Sequence, residues 1–133
     1  MKSIHILLGL LIIIAQCSPA DNKVSIIGSW RVDSIYTYYN GFGFTRKDIA
    51  GEPLLGYQTD GKLKMTKNQE SRFFLFELPS QDTLLHRNLN HELLEKFLIQ
   101  DLNVNQLILR KDLRPVFKGI NQQRYEIRYL SKL

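Results

Sequence analysis

The chain predicts an all-β fold, an antiparallel up-and-down meander of seven to eight strands closed into a small β-barrel. Three observations carry that expectation. Several segments alternate apolar and polar residues with period two, as half-buried strands do. Two pairs of such segments are joined by short turns bearing Asp-Gly or Asn, the pattern of hairpins. The runs also recur at intervals of about 12 residues, the spacing of a barrel or sandwich.

The first strand opens at Gly28-Ser29 and runs from Trp30 to Tyr39. Trp30, Val32, Ser34 and Tyr36 fall on one face, and Arg31, Asp33, Ile35 and Thr37 on the other. Asn40-Gly41-Phe42-Gly43-Phe44 carries two glycines, which weaken a central strand, so a long loop is expected from there to Glu52-Pro53. Leu54 to Gln58 and Lys62 to Thr66 flank Thr59-Asp60-Gly61, a hairpin. A two-residue turn would set Tyr57 opposite Lys64 and mix the faces. A three-residue loop with Gly61 in a left-handed bulge pairs Tyr57 with Leu63 and Leu55 with Met65, keeping one face apolar.

Arg72 to Leu78 is apolar on both faces for most of its length, as in a strand covered on both sides or one whose outer face meets a loop, and Pro79-Ser80 ends it. Thr83 to Arg87 is a short strand. Asn88 to Glu95 fits either a helical turn or a loop. Lys96 to Leu102 and Gln106 to Lys111 flank Asn103-Val104-Asn105, a second hairpin. After a loop over residues 112–121, Gln122 to Leu130 closes the chain, with Tyr125, Ile127 and Tyr129 on one face and Arg124, Glu126 and Arg128 on the other.

Ahead of the domain, Lys2 precedes an apolar run from Ile6 to Ala15 and then small residues, a secretory signal. The run is too short for a mature spanning helix, which needs roughly 20 apolar residues. Ile14-Ala15-Gln16-Cys17 resembles the lipobox of bacterial lipoproteins, with Gln16 departing from it. The expected organisation is a lipoprotein-type signal over 1–16, a lipidated tether over 17–26 and a barrel over 27–133. Cleavage after Ala20 to give a soluble protein is the competing reading, and a retained anchor the third. Cys17 is the sole cysteine, so an internal disulfide is excluded. The expected location is the bacterial outer membrane, on its periplasmic side or at the cell surface, with a secreted or periplasmic soluble form as the alternative.

Removing Lys2 leaves 17 basic against 13 acidic side chains. Lys62, Lys64 and Lys67 are read as a solvated strand face, and no nucleic-acid signature is present. His86, His91 and Glu92 come nearest to a metal cluster, but the spacing and the want of a further ligand argue against one, and both histidines are expected at the surface beside a turn. Neither a nucleophile motif nor a carboxylate pair points to catalysis, and no cofactor is expected.

Gly28-Ser29-Trp30 at the start of a meander resembles the lipocalin superfamily. Lys96 to Arg110 resembles the penultimate hairpin of the small lipocalin-like lipoproteins of Bacteroidetes-type bacteria, and the likeness covers residues 27–131. The resemblance implies a barrel-closing motif in which Trp30, two residues after Gly28, packs under a last-strand arginine, Arg128 or Arg124, with Arg128 favoured. Independently, the aromatic side chains furnish interior candidates, namely Tyr36, Tyr57, Phe74, Phe76 and Tyr125. Phe42, Phe44 and Tyr38 form a candidate ligand or partner loop. The leading expectation is binding of a small apolar or amphipathic ligand in the barrel. The alternative is a packed barrel that recognises a protein through its loops, as an accessory or inhibitory lipoprotein. Oligomeric state is left open.

Overall fold

Period-two alternation from Gly28 onward produces nine antiparallel strands and no helix among the described residues, 25–117 and 121–133 of a computed structural model. Cys17, the signal segment and most of the tether lie outside the described residues. The strands are β1 (Gly28–Tyr39), β2 (Phe42–Arg46), β3 (Leu54–Tyr57), β4 (Lys62–Lys67), β5 (Glu70–Ser80), β6 (Thr83–Arg87), β7 (Leu93–Leu102), β8 (Gln106–Asp112) and β9 (Arg124–Lys132). From β3 to β9 each strand pairs with the next, and β1 pairs with both β3 and β9. The result is a closed eight-stranded up-and-down barrel of lipocalin-like form, with β2 as one extra strand.

The extra strand corrects the expected long loop. Asn40 and Gly41 have φ of 41° and 95°, the left-handed pair that a tight two-residue hairpin needs, and Tyr39 lies opposite Phe42. β1 is long enough to serve two partners on one edge: Gly28–Trp30 pairs with β3 and Ile35–Tyr39 with β2. The β1–β2 hairpin therefore stands above β3 as a wall beside one mouth of the barrel. Gly43 fits there because the Tyr36 ring lies across it, leaving no room for a Cβ.

The β3–β4 hairpin has the register the apolar face required, Tyr57 opposite Leu63 and Leu55 opposite Met65, with Gly61 at φ 82°. β5 continues through Pro79, which falls in the register irregularity between Glu77 and Ser80, where a missing N–H is tolerated. Its outer face is not covered: Phe73 is exposed. Residues 88–92 are a turn in which Asn88 Oδ1 accepts from the N–H groups of Asn90 and Glu92, and β7 begins at Leu93.

A bulge between Val32 and Ser34 overturns the expected faces of β1. Trp30 and Val32 are buried before it, and Ile35 after it, so Ser34 and Tyr36 turn outward. β9 follows the same logic. Leu130 is buried, so the residues in phase with it, Arg128, Glu126 and Arg124, share the inner face, and Tyr125, Ile127 and Tyr129 face out. Tyr38 and Tyr125 stack on the outside at 4.8 Å, with the Arg110 guanidinium 4.0 Å above Tyr125.

The core fills one end of the barrel. Ile26, Trp30, Val32, Ile35, Leu55, Tyr57, Leu63, Leu84, Phe97, Leu107, Leu109 and Leu130 form one buried cluster. Ile26, assigned to the tether from sequence, is 2% exposed, and its carbonyl accepts the Trp30 indole N–H at 2.7 Å. Lys132 lies directly opposite Trp30 in register, with its ammonium 5.3 Å from the ring. Gly28, at φ 131°, makes way for the Lys132 stem, which a Cβ would meet at 2.7 Å. The cation on Trp30 is thus Lys132, where the resemblance favoured Arg128. Arg128 sits four residues back along β9, roughly 13 Å toward the other mouth at strand rise.

Candidate functional site

Beyond the Trp30 end the inner wall turns polar. Four inward positions that alternation would fill with apolar side chains carry His86, Glu95, Lys111 and Arg128, each in phase with a buried apolar residue of its own strand: Leu84, Phe97, Leu109 and Leu130 respectively. Register brings these groups together. His86 of β6 lies opposite Glu95 of β7, and Arg128 of β9 lies between Leu109 of β8 and Ile35 of β1.

They form a connected belt. The Tyr57 hydroxyl and His86 Nε2 are 2.9 Å apart. His86 Nδ1 lies 3.5 Å from Glu95 Oε2, longer than a well-formed hydrogen bond. Glu95 Oε1 accepts from Lys111 Nζ at 2.7 Å. On the far side, Arg46 donates to Glu52 at 3.0 Å. Arg128 reaches Glu52 and Glu126 only at 3.8 and 3.4 Å, and stands 5.6 Å from the Phe97 ring. Two buried side-chain atoms among the described residues have no hydrogen-bond partner, His86 Nδ1 and Arg128 Nε.

The electrostatics follow from this packing. Glu95 is held down to about 2, chiefly by its contact with His86 and then by Lys111 and Arg128, against the upward push of partial burial. It is a carboxylate at any ordinary pH. Burial, reinforced by the Glu95 charge, raises the Tyr57 phenol well above its usual value, so its O–H stays in place as a donor. A carboxylate facing Nδ1 disfavours a lone pair there. Nδ1 therefore carries the hydrogen, and Nε2 accepts from Tyr57.

The belt encloses space. A cavity of about 240 Å³ is lined by Glu52, Pro53, Leu55, Met65, His86, Glu95, Phe97, Leu109, Arg128 and Leu130. A second hollow of about 460 Å³, sharing Pro53 and Met65, is lined further by Lys67, Asn68, Glu70, Arg72 and Phe74 at the mouth. Lys67, read as part of a solvated face, thus belongs to the mouth. A third hollow, about 560 Å³, lies at the Trp30 end against Ser25, Ile26, Leu78, Ser80, Gln81, Ile99 and Leu102, and no titratable side chain lines it.

Several interior candidates are brought to the site. Tyr57 anchors the polar belt, Phe76 meets its ring edge-on at 5.0 Å, and Phe74 lines the mouth. Tyr36 and Tyr125 are placed on the outer surface by the β1 bulge and the inverted β9. Phe42 and Phe44 are paired with Tyr39 and Thr37 on the inner face of the β1–β2 wall, 78% and 62% exposed, and Tyr38 lies on the opposite face. Arg128 joins the cavity. His86, expected at the surface beside a turn, is 2% exposed and interior, and His91 sits apart in the β6–β7 turn at φ 65°. Among the described residues no group of three or more His, Cys, Asp and Glu side chains could hold a metal ion, and no helix is long and apolar enough to cross a membrane. Glu52, Glu95, Lys111 and Glu126 were missed from sequence, although the phase of the last three with buried neighbours marks them as inward. No family model, curated protein or solved structure matches this chain.

Proposed function

We propose that the protein is a non-catalytic carrier or sensor of a small amphipathic ligand, which enters the barrel at the mouth beside the β1–β2 wall. The observation behind this reading is a cavity of about 240 Å³ whose walls mix apolar side chains with His86, Glu95 and Arg128, beneath a hollow of about 460 Å³. Small-molecule sites combine apolar walls with a few converging polar groups in this way, in volumes of roughly 300–1,000 Å³. The inner cavity alone falls short of that range and the mouth lies within it, so a ligand would occupy both. The exposed rings of Phe42 and Phe44 extend the apolar wall above the mouth.

A binding role suits the belt better than a catalytic one. Tyr57 is fully buried and keeps its proton, and the Glu95 charge is engaged by Lys111. The N-terminal signal and Cys17 support a lipid-anchored form at the bacterial outer membrane, and the Gly28–Trp30 pattern supports membership of the lipocalin-like lipoproteins.

Titration with Nile red, a neutral apolar dye, tests the reading: one saturable site is expected. Absence of saturable binding would leave the second reading, recognition of a protein along β2. Among the described residues that strand pairs only with β1, so its other edge offers backbone groups for pairing beside two exposed phenylalanines.

A further inference from the structure

The two unpartnered buried atoms of the belt say which chemistry the cavity takes. His86 Nδ1 faces the Glu95 carboxylate at 3.5 Å, whereas Arg128 Nε, a donor in every protonation state, faces no acceptor. No buried side-chain acceptor among the described residues is left without a partner. A cavity short of acceptors accommodates a ligand that brings one.

Arg128 is the group most short of partners. Charge-assisted hydrogen bonds close to about 2.7–2.9 Å. Lys111–Glu95 at 2.7 Å and Arg46–Glu52 at 3.0 Å come near that range. Arg128 has only the 3.8 Å and 3.4 Å contacts, with Nε bare, although a guanidinium offers five N–H donors in a rigid fork. The inner cavity lies against it, and the way out runs past Met65 and Pro53 to Phe74.

Resting on the ligand-binding reading above, we infer that the ligand is an amphipathic monocarboxylate bound head-first: its carboxylate pairs with the guanidinium of Arg128, and its apolar tail leads out between Met65 and Phe74 toward Phe44 and Phe42. The charge balance around the head favours a single negative charge. Arg46, Lys111 and Arg128 face Glu52, Glu95 and Glu126, so a compact monoanion is tolerated, and a dianion would meet three carboxylates. A cationic head would face Arg128 across a cavity that offers it no free buried acceptor.

Displacement of Nile red by three twelve-carbon amphiphiles tests the inference with the full chain: dodecanoate, methyl dodecanoate and dodecyltrimethylammonium. Dodecanoate is expected to displace the dye at concentrations at least tenfold lower than either of the others. Arg128→Met is expected to keep Nile red binding and lose that preference. Equal potency of the three, or preference for the ammonium, overturns the carboxylate assignment while the barrel-binding reading stands. A preference that survives in Arg128→Met overturns the role of Arg128. Failure of the wild type to bind Nile red overturns both readings at once. Should Arg128→Met lose its β-sheet circular dichroism, the wild-type ranking alone decides.

Discussion

Glu95→Gln removes one negative charge from inside the barrel and leaves the shape of the side chain almost unchanged. In the fold the carboxylate is contacted by His86 and Lys111 and its pKa falls from 4.5 to about 2. At 1.36 kcal/mol per pH unit that difference sets a ceiling of about 3 kcal/mol. The side chain is 28% exposed, so solvent screening reduces the expected stabilisation to about 1–2 kcal/mol. The sign follows from linkage. A carboxylate whose pKa is lower folded than unfolded stabilises the fold above the unfolded value, and that stability is lost as pH falls through the folded one. Urea unfolding followed by Trp30 fluorescence, from pH 7 down to about pH 2, measures it. Wild type should exceed Glu95→Gln by about 1–2 kcal/mol at pH 7, and the gap should close between 4.5 and about 2. A gap that stays constant across that window would show that the Glu95 charge has no special partner in the fold.

Trp30→Ala should destabilise by about 3–5 kcal/mol, since the ring is 0% exposed and its N–H is satisfied by Ile26; a loss under about 1 kcal/mol in the same unfolding assay would remove the closed end of the barrel as described. Phe42→Ser with Phe44→Ser should change stability by less than about 1 kcal/mol, because both rings are largely in solvent, while weakening Nile red binding several-fold. Unfolding of that double variant, or unchanged dye affinity, would show that the wall does not serve the mouth. Cys17→Ser should move the protein from the membrane fraction to the soluble one, as seen by fractionation and immunoblotting, and unchanged partition would place the anchor elsewhere.

The barrel was legible in the sequence because its hairpins carry their own chemistry. Asp60-Gly61 and the demand for one apolar face set the β3–β4 register uniquely, and Asn103 and Asn105 bracket the β7–β8 turn. The β1–β2 hairpin was hidden because Gly43 reads as a strand breaker. The Asn40-Gly41 pair is nevertheless a strong turn signal, and Tyr36 fills the space beside Gly43. The inner face of β1 beyond Val32 was not legible, since a single bulged residue reverses every later side chain and leaves no mark on composition. β9 misled for a related reason. Its aromatic face was the natural choice for the interior, but Leu130 and the register with Leu107 and Leu109 turn Glu126 and Arg128 inward. The site follows from those inversions, because a polar belt inside a barrel needs its charges in phase with core residues, against ordinary hydrophobic patterning.

Native mass spectrometry of the purified protein tests the central claim most directly, because a ligand held inside the barrel travels with it into the gas phase. The account predicts a 1:1 adduct of a small molecule, either retained through purification or formed on adding dodecanoate, and lost on denaturation. Only the bare mass, with and without dodecanoate, would contradict it and mark the cavity as one that takes no ligand.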